Sequence, residues 1–125
     1  MKQKIQANHA PKEIGAYSNA IKCGNVIFVS GQLPVNPETG HVPTTLQEQT
    51  RQVINNIRNI LADAGATLDN VVKTTVYLQE MYLFSQMNEV YAEAFSEPYP
   101  ARTSLAVKEL PQTALIALDV VAVIE

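Results

Sequence analysis

The chain has 125 residues, 46% of them hydrophobic and 17% charged, with a formal net charge of −3 and a single cysteine, Cys23. That length supports one core rather than two, so residues 1–125 read as a single domain. The composition excludes a basic nucleic-acid footprint, which needs clustered Lys and Arg. A lone cysteine excludes an internal disulfide and fits a reducing compartment. The opening "MKQKIQANHAPKEIG" has no apolar segment of the kind a secretory signal carries. The longest apolar run, near the C-terminus, is interrupted by Asp119 and is too short to span a membrane. The expectation is a soluble cytoplasmic protein with no membrane partner. The small charged fraction also hints at surface buried against another subunit.

In chain order, "AYSNAI" and "NVIFVSGQL" predict two strands joined by a turn over Lys22–Asn25, where Gly24 permits a tight reversal. The proline- and glycine-punctuated "PVNPETGHVP" predicts a loop. Thr45 and Glu48 then have capping-box spacing. Leu46, Val53, Ile54, Ile57, Ile60, Leu61 and Ala64 recur at helical spacing, and Gly65 supplies a stop. The β-branched "NVVKTTVYL" predicts a strand. Phe84, Met87, Val90, Tyr91, Ala94 and Phe95 mark a second amphipathic helix, which the prolines of "EPYP" end. Strands over Arg102–Val107 and Ala114–Ile124 close the chain.

This order predicts an α+β fold, a mixed sheet with both helices on one face. In the last strand Ile116, Leu118, Val120, Ala122 and Ile124 point one way, and Ala117, Asp119, Val121 and Val123 the other. The second face is too apolar for water and has no helix left to cover it. A homo-oligomer packing sheet against sheet resolves this and places Asp119 near a subunit boundary.

Few residues have the setting that chemistry needs. His9 and His41 are isolated in loop-forming sequence, with no Cys or carboxylate at metal-ligand spacing, so no metal is expected. Cys23 has only Lys22 as an activating neighbour. "SGQ" at Ser30–Gln32 lacks the fuller nucleophile-elbow pattern, and no phosphate loop or dinucleotide fingerprint occurs. Arg102 differs, because it is a permanent charge at the entry to a strand. It pairs either with a carboxylate of the protein or an interface, or with the carboxylate of a ligand, for which its planar fork is suited.

Nearly the whole chain resembles the Rid family (reactive intermediate deaminases, also called the YjgF or endoribonuclease L-PSP family). The resemblance is carried by "APKEIGAYSNAI", "VSGQLPVNPETG", "NNIRNILADAGATLDNVVKTTVYL", "NEVYAEAF" and "PARTSLAVKELP". It implies a chorismate-mutase-like fold, assembled as a homotrimer around a central barrel of sheets. It also implies hydrolysis of 2-imino acids, released by pyridoxal-phosphate enzymes, to 2-keto acids and ammonia. No metal or organic cofactor is implied, and the site lies in a cleft between subunits. Matched motif by motif, the "PAR" arginine that binds the substrate carboxylate is Arg102, and the "YS" tyrosine is Tyr17. The "SGQ" serine and glycine that line the pocket are Ser30 and Gly31. The "NEVY" asparagine is Asn88. Ser104, two residues after the arginine, offers its backbone to substrate or water.

The match departs from the family in the last strand. Where the family commonly has V-E-I-E-x-I-A, whose first glutamate is thought to position or activate the attacking water, "ALIALDVVAV" puts Ala117 at that glutamate and Asp119 at the second. A one-residue slip would turn every side chain to the other face. A two-residue slip would move Asp119 by roughly 6.6 Å. Three readings follow. The chain hydrolyses imines using Asp119 or backbone-held water; it is a non-catalytic module binding 2-keto acids or similar small carboxylates; or it is an endoribonuclease. The net charge, and the absence of aromatic residues interleaved with basic ones, argue against RNA.

Overall fold

The alternating and helical patterns of the sequence settle into one sheet and two helices in the computed structural model, which describes residues 1–125. The strands are β1 (Lys2–Lys4), β2 (Ala20–Cys23), β3 (Val26–Gln32), β4 (Val71–Leu78), β5 (Ala101–Ala106) and β6 (Ile116–Val123). The helices are α1 (Leu46–Asp63), between β3 and β4, and α2 (Phe84–Ala94), between β4 and β5. The sheet order is β1-β2-β3-β6-β4-β5. Only β4 and β5 pair in parallel; the other neighbours are antiparallel. Because β3 and β4 both run against β6, they are parallel to each other. Each helix therefore makes a crossover between parallel strands, the geometry expected from the chain order.

α1 starts where Thr45 leaves the extended region and accepts a bond from the Glu48 backbone N–H at 3.1 Å. It stops at Gly65, whose φ of +80° lets the Ala66 N–H return to the Leu61 carbonyl at 2.8 Å. Its apolar stripe, with Val53, Ile57, Ile60 and Leu61 fully buried, faces Ile27 and Val29 of β3, Val76 and Leu78 of β4, and Leu118, Val120 and Ala122 of β6. Each Val, Leu or Ile among them contributes about 1.5–3 kcal/mol by leaving water. Truncating Ile57 at the centre of this layer would cost about 2–5 kcal/mol.

The opposite face of the sheet has no such cover. Phe28 is 49% exposed and Leu105 37% exposed, and Val121 and Val123 are half-buried beside them. The two-faced last strand expected from the sequence is thus present, over Ile116–Val123 rather than Ala114–Ile124.

Two further expectations change. The strand expected over "AYSNAI" is confined to Ala20 onward, and Ala16–Asn19 is loop. Asn19 is buried and its amide donates to the Pro11 carbonyl at 3.0 Å and to Glu13 Oε1 at 3.1 Å, while Gly15 has a φ of +123°. These local bonds give the segment an alternative to a strand ladder. Second, the polar opening forms an edge strand, with Lys2 opposite Cys23 and Lys4 opposite Ile21. Its exposed lysines suit an edge, where charge discourages pairing with another chain.

Candidate functional site

Arg102 lies on β5, opposite Thr74 of β4. The strand's alternation leaves Arg102 and Ser104 half-buried and Ala101, Thr103 and Leu105 exposed. The Arg102 guanidinium reaches α2, where Nη1 donates to Asn88 Oδ1 at 2.8 Å. Its central carbon lies 4.7 Å from the ring centroid of Tyr91 and 5.2 Å from that of Phe84. Phe84, Asn88 and Tyr91 recur at helical spacing, so one stripe of α2 supplies the whole cradle. Tyr91 is fixed in turn by a 2.8 Å bond between its hydroxyl and that of Thr74. Burial raises its phenol above the usual value; the Thr74 bond and the Arg102 charge oppose that rise less strongly. The ring therefore stays neutral beneath the cation.

No carboxylate of the chain pairs with Arg102; the only ion pair is Lys4–Glu13. The protein holds the guanidinium with one amide oxygen and two aromatic faces. These orient the fork without neutralising it, and most of its five donors remain available. Around it opens a cleft of about 370 Å³, lined by Asn88, Tyr91, Ala92, Tyr99, Pro100 and Arg102. Further along the strand, the Ser104 hydroxyl is buried with no hydrogen-bond partner. An unmet buried hydroxyl costs about 1–3 kcal/mol.

A second, larger cleft of about 900 Å³ brings together Tyr17, Gly31, Ala117 and Asp119, with Tyr77 beside them. Gly31 falls where β3 carries one extra residue against β6, between the Val29–Val120 and Gln32–Leu118 pairs. A Cβ at Gly31 would meet nothing within 4 Å. Nothing in the chain itself therefore requires glycine there. Ser30 does not line the cleft. Its hydroxyl bonds the Ser18 carbonyl and its N–H bonds the Asn19 carbonyl at 2.9 Å, which ties the Tyr17 loop to β3. Asp119 is half-buried, and its Oδ2 accepts a 2.7 Å bond from the Tyr77 hydroxyl. This bond, then burial, then the carboxylate charge raise the Tyr77 phenol above its ordinary value.

Within one chain the candidate residues thus fall into two groups. Arg102 and Asn88 share the smaller cleft, with Ser104 next along the strand on the same face. Tyr17, Gly31 and Asp119 share the larger one on the open side of the sheet. Arg102 faces the helices and Asp119 faces away from them, so one chain does not bring them together. His9, His41 and Cys23 are exposed. No cluster of three or more His, Cys, Asp or Glu could hold a metal ion. The sequence marks Phe84 and Tyr91 only as apolar helix positions, and Tyr77 only as a strand residue. Their signal was the spacing of Phe84, Asn88 and Tyr91, but it needs the parallel β4–β5 pairing to be interpretable.

One six-stranded sheet with two helices over one face defines an α+β class of protein, and two clefts of small-molecule size open on its two sides. The chain belongs to the endoribonuclease L-PSP family, which includes the Rid proteins: the family model matches residues 7–124. It is 52% identical over 122 residues to a RutC family protein of Pyrococcus abyssi, covering 97% of this chain and 96% of that one. The crystal structure of RidA from an Antarctic Psychrobacter superposes with a TM-score of 0.94 at 39% identity, covering 98% of this chain and 99% of that one. Escherichia coli TdcF, crystallised with bound serine, gives 0.92 at 32% identity, covering 98% and 99%. The α+β fold that the resemblance implies for one chain is therefore the one observed. No helix is long and apolar enough to cross a membrane.

Proposed function

We propose that the chain hydrolyses 2-imino acids to 2-keto acids and ammonia, without a metal or organic cofactor. The observation that carries this reading is the Arg102 guanidinium, oriented by Asn88, Tyr91 and Phe84 yet without a carboxylate partner. Such a fork suits a bidentate grip on a small carboxylate. The serine bound by TdcF is a ligand of that type, an α-amino carboxylate.

In this reading Arg102 fixes the acid end of the imine and so places its carbon. Water adds to the protonated C=N bond, its proton passes to a nearby acceptor, and the C–N bond then breaks with proton return to nitrogen. An iminium carboxylate and water become a keto acid and ammonium. Asp119 is the acceptor in this scheme, and backbone groups beside Gly31 and Ser104 hold the oxygen atoms. Arg102 and Asp119 act together only across two copies, so the active form is an oligomer with sites between subunits, and the family resemblance makes it a homotrimer. Two features support this. The sheet face with Phe28, Leu105, Val121 and Val123 is uncovered, and Gly31 leaves its backbone open to an approaching group.

A second reading rests on Ala117, which brings no acid or base to the larger cleft. Under it the chain binds 2-keto acids or similar carboxylates without turnover. RNA cleavage, the activity in the family's name, is disfavoured by the net charge of −3 and by nine Lys and Arg scattered through the sequence. The deciding experiment generates 2-iminobutanoate with a threonine dehydratase and follows its loss with and without the purified chain. Deaminase activity predicts faster loss in proportion to added protein. An unchanged rate with retained keto-acid binding supports the binding module.

A further inference from the structure

We propose that Tyr77 is a positioning residue for imine hydrolysis, holding Asp119 so that one carboxylate oxygen is left free to take the proton of the attacking water. This rests on the deaminase reading above.

The argument starts from the larger cleft. Of the residues lining it, Asp119 is the one carboxylate and Lys12 the one cation. Ala117, which precedes Asp119 on the same face of β6, offers only a methyl group. Any proton acceptor among these side chains is therefore Asp119. An aspartate on a strand has a short side chain, and its usefulness depends on where its two oxygens point. Here Oδ2 is engaged by the Tyr77 hydroxyl at 2.7 Å, an ordinary length for an O–H···O bond. Oδ1 accepts no bond from the protein.

The pairing follows from the register. Thr75 of β4 stands opposite Asp119 and Tyr77 opposite Ala117. Tyr77 is therefore the diagonal neighbour of Asp119, within reach of a long aromatic side chain. Opposite Tyr77, the small Ala117 leaves space at the cleft wall. A purely structural account would have Asp119 rescue a buried phenol. That account leaves Oδ1, the second carboxylate oxygen, without a protein partner at the cleft wall. The bond is thus better understood as orienting the carboxylate. The phenol also resists ionisation, so it stays a donor through the neutral range.

The step balances. Water oxygen bonds to the carbon of the protonated imine, the C=N π pair moves to nitrogen, and one water proton goes to Asp119 Oδ1, which leaves a neutral carbinolamine. Asp119 then returns that proton to nitrogen, takes up the carbinolamine hydroxyl proton as the O–H pair forms the C=O bond and the C–N bond breaks, and passes it to the departing ammonia, which leaves as ammonium. Tyr77 keeps its own proton throughout.

The test uses Tyr77→Phe, which removes the hydroxyl and keeps the ring, together with Asp119→Asn and the double variant. Turnover of enzymatically generated 2-iminobutanoate is measured, with calorimetric binding of 2-ketobutyrate alongside. The expected result is a kcat at least about tenfold lower in Tyr77→Phe with less than about a twofold change in KM or in 2-ketobutyrate affinity. In the Asp119→Asn background, Tyr77→Phe adds no further loss, because the oxygen it would orient no longer accepts the proton. A Tyr77→Phe enzyme as fast as the natural one, or an equal loss in both backgrounds, overturns the proposal while the deaminase reading stands. So does an Asp119→Asn enzyme of full activity. No turnover in the natural protein overturns both.

Discussion

Replacing Arg102 with lysine tests the carboxylate grip while keeping the charge. In the folded chain the guanidinium has one hydrogen bond, to Asn88 Oδ1 at 2.8 Å, and lies 4.7 and 5.2 Å from two ring centroids. Lysine keeps the positive charge but loses the planar fork, so a two-bond contact to a carboxylate becomes a single one. A charge-assisted bond contributes about 1.5–3 kcal/mol, and about 1.4 kcal/mol is tenfold in affinity. The expected loss is therefore at least about tenfold in the dissociation constant for 2-ketobutyrate. The cost to folding is smaller, about 0.5–1 kcal/mol for each weakened cation–π contact. Isothermal titration measures the first quantity and urea unfolding the second. Unchanged keto-acid affinity in a folded Arg102→Lys protein would refute the reasoning, and Arg102 would then serve packing alone.

Ala117→Glu should raise imine turnover, by about 10²-fold or more if a second carboxylate at the cleft wall activates water, and steady-state rates decide it. No gain in a well-folded variant would mean that Asp119 and the backbone already suffice. Sedimentation should find a trimer at micromolar concentration, and a stable monomer would contradict the use of the apolar sheet face. Tyr91→Phe should lower stability by about 1–3 kcal/mol at neutral pH, because it strands the buried Thr74 hydroxyl. The Tyr91 phenol is raised above its ordinary 10.0 by burial, so its contribution is complete below that pH and is lost as pH rises through the folded value. Urea unfolding at neutral pH and at about pH 11 should therefore show the deficit narrowing in alkali.

Parts of this molecule were legible from the sequence for physical reasons. α1 carries its own start, stop and buried stripe, all set by residues near one another in the chain. The two faces of β6 follow from simple alternation. The loop over Ala16–Asn19 was not legible, because side-chain bonds of a buried Asn19 compete with strand pairing and leave no periodic trace. Site residues divide the same way. Arg102 is conspicuous as a charge at a strand entry, whereas its support by Tyr91 and Phe84 depends on β5 lying beside β4. The Tyr77–Asp119 bond joins residues 42 apart, and only the antiparallel register of β4 against β6 creates it. That Arg102 and Asp119 face different clefts could be read only from the folded chain.

The most direct measurement of the central claim mixes two defective proteins. Arg102→Lys and Asp119→Asn chains are purified separately, unfolded together at equal concentration, refolded, and assayed for loss of 2-iminobutanoate. If each site takes Arg102 from one copy and Asp119 from its neighbour, about a quarter of the sites in randomly mixed trimers contain both natural residues. With imine below saturation, the predicted result is about a tenth of the natural rate or less for each variant alone and about a quarter for the mixture. A mixture no more active than the two variants assayed apart would contradict a site shared between copies.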